Sequence, residues 1–210
     1  MKNNIFDREL LLIFTRNPEL GKVKRRLAAS IGDEAALKVY EMLLQHTLEV
    51  TQDLSVKKWV FYSEEIPKKD IWSKENFNKK LQQGRDLGER MQQAFSEAFS
   101  EGFQKVVIIG SDLYDLQEED LKMAFLALDD HNYVLGPAQD GGYYLLGMTK
   151  PTPQLFRNKT WSSASVFQQT RQDLKQEKLK ILPVRNDIDT FEDMRSYMDL
   201  MELIEKDGEI

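Results

Sequence analysis

An α/β layer fold with a mainly parallel sheet is what this sequence predicts. Short apolar runs alternate with longer amphipathic ones along the chain, the pattern of successive βαβ units. The stretch "NYVLGPAQDGGYYLLGM" interrupts that rhythm. Its two β-rich runs around Asp140-Gly141-Gly142 read as a hairpin or tight reversal, so the sheet is expected to be mixed. With 210 residues and no repeat, low-complexity tract or Pro/Gly/Ser-rich linker, one domain over residues 1–210 is expected.

The elements follow in order. "LLLIF" (Leu10–Phe14) reads as a buried strand, and "DEAALKVYEMLLQHTLEVTQDL" sets Ala36, Tyr40, Leu43, Leu44, Thr47 and Leu48 at helical spacing. "KKWVFYS" (Lys57–Ser63) is β-rich, and "NKKLQQG" is a weaker strand ending at Gly84. The polar stretch Ser63–Asn76 is a surface excursion. "LGERMQQAFSEAF" puts Leu87, Met91, Phe95 and Phe99 on one stripe, with Asp86 and Glu89 spaced like a capping box. "KVVIIGSD" is the clearest buried strand, and "LQEEDLKMAFLAL" is helical with Asp115 as its candidate cap. "SASVFQQTRQDLKQEK" reads as a serine-capped helix, "LKILPV" as a late strand, and "DTFEDMRSYMDLMELIEK" as the closing helical stretch.

Composition narrows the chemistry. A net charge of -6 argues against a nucleic-acid polymer as partner, so an anion site has to be local. No cysteine is present, which excludes disulfides, thiolate metal sites and a cysteine nucleophile, and two scattered histidines do not suggest zinc. "MKNNIFDRE" has no apolar core of signal-peptide length and no segment is long enough to cross a bilayer; a soluble cytoplasmic protein is expected.

Three strand ends carry candidate chemistry, because ligands of open α/β sheets sit beyond the carboxyl ends of the strands. After the first strand, "TRNPELGKVKRRLA" delivers Gly21, Lys22, Lys24, Arg25 and Arg26, which suit a phosphate group or, equally, a glycine turn and a solvated helix face. Asp112, after "VVIIGS", is carried to the crevice edge as a candidate Mg²⁺ ligand or a turn former. In "RNDIDTFEDM", Asp187 and Asp189 lie one residue apart and share a face in extended geometry; either reads as a cation ligand, and Asp189 or Thr190 also as a helix cap. "QQGRDLGERM" sets glycines beside Arg90, and Trp161 reads as a lid aromatic or a half-buried packing residue.

Taken in order, "LLIFTRNPELGKVKRRLA", "GDEAAL", "GRDLGERMQQAF", "VVIIGSDLYDL", "VLGPAQDGGYYLLGM", "WSSASV" and "DIDTFEDM" resemble the bacterial DUF2064 proteins, of the radical-SAM/selenodomain-associated transferase type. Those belong to the GT-A, or nucleotide-diphospho-sugar transferase, superfamily. The resemblance runs almost end to end and implies a three-layer α/β/α sandwich of about seven strands, similar to molybdopterin-guanylyltransferase-like and phospholactate-guanylyltransferase-like enzymes. Carried over by position, it implies that Arg16, Gly21, Lys24 and Arg26 form a phosphate-binding loop and that Gly88 and Arg90 form a second nucleotide loop. It further implies that Asp112 and Asp189 hold Mg²⁺ or Mn²⁺, and that Asp140, Gly141, Gly142 and Tyr143, with Trp161, face an acceptor. Lys24, Arg26 and Asp112 are then the catalytic groups.

The expected activity is Mg²⁺-dependent transfer from a nucleoside triphosphate or a nucleotide-diphospho-sugar to a small-molecule acceptor, with no protein nucleophile. Two departures support an alternative, a catalytically weakened nucleotide-binding module. Tyr114 stands where the family has proline, and Arg25 where it has threonine. All of this requires Asp112 and Lys24 to share one cleft.

Overall fold

The computed structural model describes residues 8–205. Met1–Asp7, which contain most of the stretch read as too polar for a signal peptide, lie outside them, as does Lys206 of the closing stretch. Seven strands form one sheet: β1 (Glu9–Thr15), β2 (Lys57–Tyr62), β3 (Asn78–Leu81), β4 (Lys105–Gly110), β5 (Tyr133–Pro137), β6 (Tyr143–Met148) and β7 (Leu179–Ile181), in the order β3-β2-β1-β4-β6-β5-β7. All neighbours pair in parallel except β6, which is antiparallel to both β4 and β5. The expected α/β fold with a mostly parallel mixed sheet is therefore present, and β5–β6 is the expected reversal.

Both faces of the sheet are covered, which is why its strands read as continuous apolar runs. On one face Leu11, Ile13, Val60, Val107, Ile109 and Leu145 pack beneath helices α2 (Asp33–Thr51) and α4 (Glu118–Ala127). On the other, Leu10, Leu12, Trp59, Ile108 and Leu146 meet α3 (Leu87–Ser100), with Phe167 of α5 (Val166–Asp173) against the same cluster. Leu10 to Ile13 are wholly buried, and each such side chain contributes about 1.5–3 kcal/mol of transfer free energy. A third cluster joins α2 to α1 (Arg25–Ile31), α6 (Phe191–Met194) and α7 (Met198–Glu205) through Leu27, Val39, Leu43, Met194 and Leu200.

Several local expectations change. Leu87, the first residue of α3, leaves its stripe and is 42% exposed; Gly88, Met91, Ala94, Phe95 and Ala98 make the buried face. Asp86 caps α3 by accepting the Glu89 N–H (2.8 Å), but the Glu89 carboxylate turns to Arg85, so the box is half formed. Gln117, not Asp115, caps α4, in a reciprocal box with Asp120. Ser165 precedes α5 without a side-chain cap. The closing helical stretch breaks into α6 and α7, and Thr190 caps α6 in a box with Asp193. Among the described residues no helix is long and apolar enough to cross a membrane.

Candidate functional site

Six strands deliver their carboxyl ends, and β6 its amino end, to one rim of the sheet. The chain runs outward in opposite senses from β1, to β2 on one side and β4 on the other, so a crevice opens between the ends of β1 and β4. The basic loop leaves β1 into this crevice and Asp112 leaves β4 into it. They meet there: Lys24 Nζ lies 2.8 Å from Asp112 Oδ2, although the two are 88 positions apart in sequence.

The loop sorts its cations. Val23 and Leu27 are buried and pull the loop down onto the core, while Lys24 takes a left-handed backbone (φ 45°, ψ 45°) just before α1. That conformation costs a non-glycine residue on the order of 1–2 kcal/mol and turns the ammonium inward, leaving its side chain 6% exposed. Arg26 is exposed and reaches Asp189 Oδ2 at 3.0 Å. Lys22 faces away, paired with Glu19 (2.7 Å) and Glu64 (3.4 Å). Arg16 has an exposed side chain, and its backbone N–H donates to the Tyr40 hydroxyl (2.8 Å).

The segment after β7 is laced to the segment after β4. Asn186 N–H donates to Asp115 Oδ2 (3.4 Å), Ile188 N–H to the Asp112 carbonyl (3.2 Å), and Arg185 grips Asp120 through two nitrogens (3.1 and 2.8 Å). This seats Asp187 beside Asp112. Burial pushes the Asp187 carboxyl up to about 6, and the negative charges of Asp112 and Asp140 push the same way. Burial also pushes Asp112 up, but the Lys24 ammonium, with Arg16 behind it, outweighs this and holds Asp112 below the usual carboxylate range. Asp189, the expected partner of Asp112, instead turns outward to Arg26.

A group whose folded pKa is raised weakens the fold as pH climbs through that value. Asp187→Asn is therefore expected to match the parent near pH 3.5, where both forms are neutral. Between the ordinary 3.8 and about 6 it should become progressively more stable than the parent. In metal-free buffer at pH 7.5 the gain is about 1–2 kcal/mol after allowing for solvent screening. Urea denaturation across that pH range measures it.

On the far side of the crevice, the glycines expected to approach a ligand are occupied by the chain itself. A methyl group on Gly88 would drive into the indole of Trp161, and one on Gly141 into the carbonyl of Ala164. The segment 157–165 thus lies across both the start of α3 and the β5–β6 loop, with Trp161 also stacked on Phe156 (6.5 Å). Arg90 braces its own loop, donating to the Gly84 carbonyl (3.2 Å) and Gln82 Oε1 (3.3 Å), rather than pointing at the basic loop. Asp140 is exposed and accepts the Gly142 N–H (2.7 Å), and Tyr143 is half-buried against the core.

The family model described as uncharacterized proteins conserved in bacteria, DUF2064, matches residues 46–163, more than half of the chain. The chain belongs to the DUF2064 family. A solved structure from Desulfovibrio desulfuricans G20, provisionally described as a nucleotide-diphospho-sugar transferase, is 30% identical, with a TM-score of 0.82 over 95% of this chain and 98% of that one. The inositol-1-phosphate CTP transferase of T. maritima matches at 16% identity and a TM-score of 0.54, over 96% and 97% of the two chains. Rv0371c of Mycobacterium tuberculosis H37Rv, solved as a complex with manganese, matches at 10% identity and a TM-score of 0.55, over 91% and 98%. The last two share the fold. No curated protein sequence matches.

One residue of this DUF2064 chain that sequence reasoning took for core also organises the site. Tyr40, on the buried stripe of α2, sends its hydroxyl among Thr15 (3.1 Å), the Arg16 carbonyl (3.2 Å) and Ser111 (3.3 Å). It ties the exit of β1 to the exit of β4 at Ser111, the residue before Asp112. The available signal was a polar-tipped aromatic at a core position. Tyr114, the DUF2064 departure, turns away from the crevice, its hydroxyl 3.3 Å from Asp199 and its ring against Tyr197 on the α7 side.

Proposed function

We propose that this DUF2064 protein is a divalent-metal-dependent transferase that uses a nucleotide donor and passes a nucleotidyl or glycosyl group to a small acceptor. The observation carrying this reading is the meeting of Lys24 and Asp112 in the crevice between β1 and β4. A cation of the loop after the first strand and a carboxylate from the fourth share one cleft, as polyphosphate and metal require.

Among the described residues no three His, Cys, Asp or Glu side chains form a ready metal cage. Magnesium rarely needs one, since it keeps waters and takes phosphate oxygens with one or two carboxylates. The donor set fits: Asp112 and Asp187 supply only hard oxygen, and Asp187 is held up first by burial and then by the negative charges of Asp112 and Asp140, which a cation would offset. On this reading Asp187, rather than the expected Asp189, joins Asp112, because the segment after β7 is bonded to Asp112 through Ile188 while the Asp189 carboxylate points outward to Arg26.

When bound, Mg²⁺ or Mn²⁺ neutralises charge on the phosphate oxygens. Lys24 and Arg26 hold the polyphosphate, with Arg16 and Gly21 in the same loop, and stabilise charge that develops on the leaving oxygens. In nucleotidyl transfer an acceptor oxygen bonds to the α-phosphorus while the bond to the bridging oxygen breaks and pyrophosphate departs. In glycosyl transfer the sugar carbon bonds to the acceptor and a nucleoside diphosphate departs. Gly88 and Arg90 shape the second nucleotide loop, and Asp140, Gly141, Gly142, Tyr143 and Trp161 border the acceptor. Neither departure from the family pattern intrudes: Tyr114 docks on the α7 side and Arg25 is exposed, which favours the enzyme over a weakened binding module.

Incubating the protein with each nucleoside triphosphate and diphospho-sugar, Mg²⁺ and a cell extract tests this. Release of pyrophosphate assigns nucleotidyl transfer, and release of nucleoside diphosphate assigns glycosyl transfer. If no nucleotide is consumed in a Mg²⁺-dependent way and none stabilises the protein thermally, the reading fails.

A further inference from the structure

The loop cations assigned to phosphate are not waiting open. Lys24 sits on Asp112 at 2.8 Å, and Arg26 on Asp189 at 3.0 Å. The two pairs differ in commitment. Arg26 is 75% exposed, so its pair is screened by water and exchanges freely. The Lys24 side chain is 6% exposed and its backbone is held in the left-handed region, so the fold spends conformational strain to place that ammonium where it is. The Asp112 side chain is 44% exposed, but the ammonium covers its Oδ2, an oxygen that a metal would use, and the carboxylate neutralises the ammonium that a phosphate would use.

We propose that the Lys24–Asp112 pair is an ion-exchange gate, which makes Lys24 the specificity-determining residue for a metal–polyphosphate complex taken as one ligand. The inference rests on the functional reading above and adds a rule of entry to it. A divalent cation that takes Asp112 Oδ2 on its own parts the buried ammonium from its counter-charge, which is unfavourable. A polyphosphate arriving alone draws Lys24 away and leaves Asp112 without its cation beside Asp187. Arriving together, the two exchange one pair for two: ammonium with phosphate, carboxylate with metal. The buried ammonium keeps an opposite partner throughout. The ligand class that opens the gate is therefore a metal-chelating polyphosphate, and a monophosphate or simple anion does not suffice.

The coupling is reciprocal, so each ligand strengthens the other by the same factor. The test uses the full chain, with wild type, Lys24→Met and Lys24→Gly, the last chosen because glycine suits the left-handed backbone. The probes are Mn²⁺ alone, inorganic triphosphate in EDTA, and both together, with free concentrations set by dialysis. Bound Mn²⁺ is read by electron paramagnetic resonance and the folded state by thermal shift. Wild type is expected to bind either probe weakly, with each strengthening the other about tenfold or more. Both Lys24 variants are expected to bind Mn²⁺ alone about tenfold more tightly than wild type, a gain that loss of a simple phosphate ligand would not produce. Equal affinity of wild type and both variants for Mn²⁺ alone overturns the gate and leaves the metal–nucleotide reading standing. No response of any of the three proteins to any probe overturns both.

Discussion

Asparagine in place of Asp112 is expected to remove the metal-dependent response to nucleotide and to lower turnover by about a thousandfold. The carboxylate leads the proposed metal pair, and deleting one preorganised electrostatic group from a transferring site typically costs 10²–10³ or more in rate. The fold should suffer less. Asparagine retains an oxygen that can accept from Lys24, so the buried ammonium keeps a hydrogen bond and loses its counter-charge. A stability loss of about 1–2 kcal/mol follows, compared with a larger loss in Asp112→Ala, where the ammonium has no acceptor. Urea denaturation separates the two variants, and thermal shift with Mg²⁺ and nucleotide reads the site. Metal–nucleotide stabilisation persisting at wild-type strength in Asp112→Asn would contradict the metal assignment.

Gly141→Ala is expected to be the most destabilising conservative change in the rim, at about 2–4 kcal/mol. Its φ of 88° already disfavours a side chain, and the added methyl would collide with the backbone carbonyl of Ala164. Backbone cannot rotate away, so the segment 157–165 has to lift. Gly88→Ala makes an instructive contrast, because its collision is with the Trp161 side chain, which can swing. A cost of about 1–3 kcal/mol is expected there. Removing the indole should recover most of it: Trp161→Ala relieves Gly88→Ala and leaves Gly141→Ala as unstable as before. Equilibrium denaturation of the three single and two double variants decides this. A Gly141→Ala protein as stable as the parent would mean that the covering segment is not seated on the β5–β6 loop.

Much of the architecture could be read from residue order alone, for a local reason. Leu10–Phe14 and Val106–Ile109 are buried on both sides, so every position is apolar and the strands announce themselves. Asp140-Gly141-Gly142 marks a reversal through turn chemistry that needs no distant partner. The same locality placed Lys24 and Asp112 at strand ends. It failed for Leu87, because helical spacing does not reveal that the first residue of α3 stays exposed. Nor does it show that the missing side chain of Gly88 makes room for Trp161.

Hydrophobic patterning and turn residues are short-range properties, and they were sufficient to specify the α/β layers, the strand ends and the kinds of charge those ends carry. Which charges meet is a long-range property. Asp187 and Asp189 are neighbours in the chain, yet the lacing of the β7 exit onto the β4 exit sends one towards Asp112 and the other out to Arg26. Pairwise electrostatics acts through space, so the partner of each carboxylate exists only once the strands are assembled side by side.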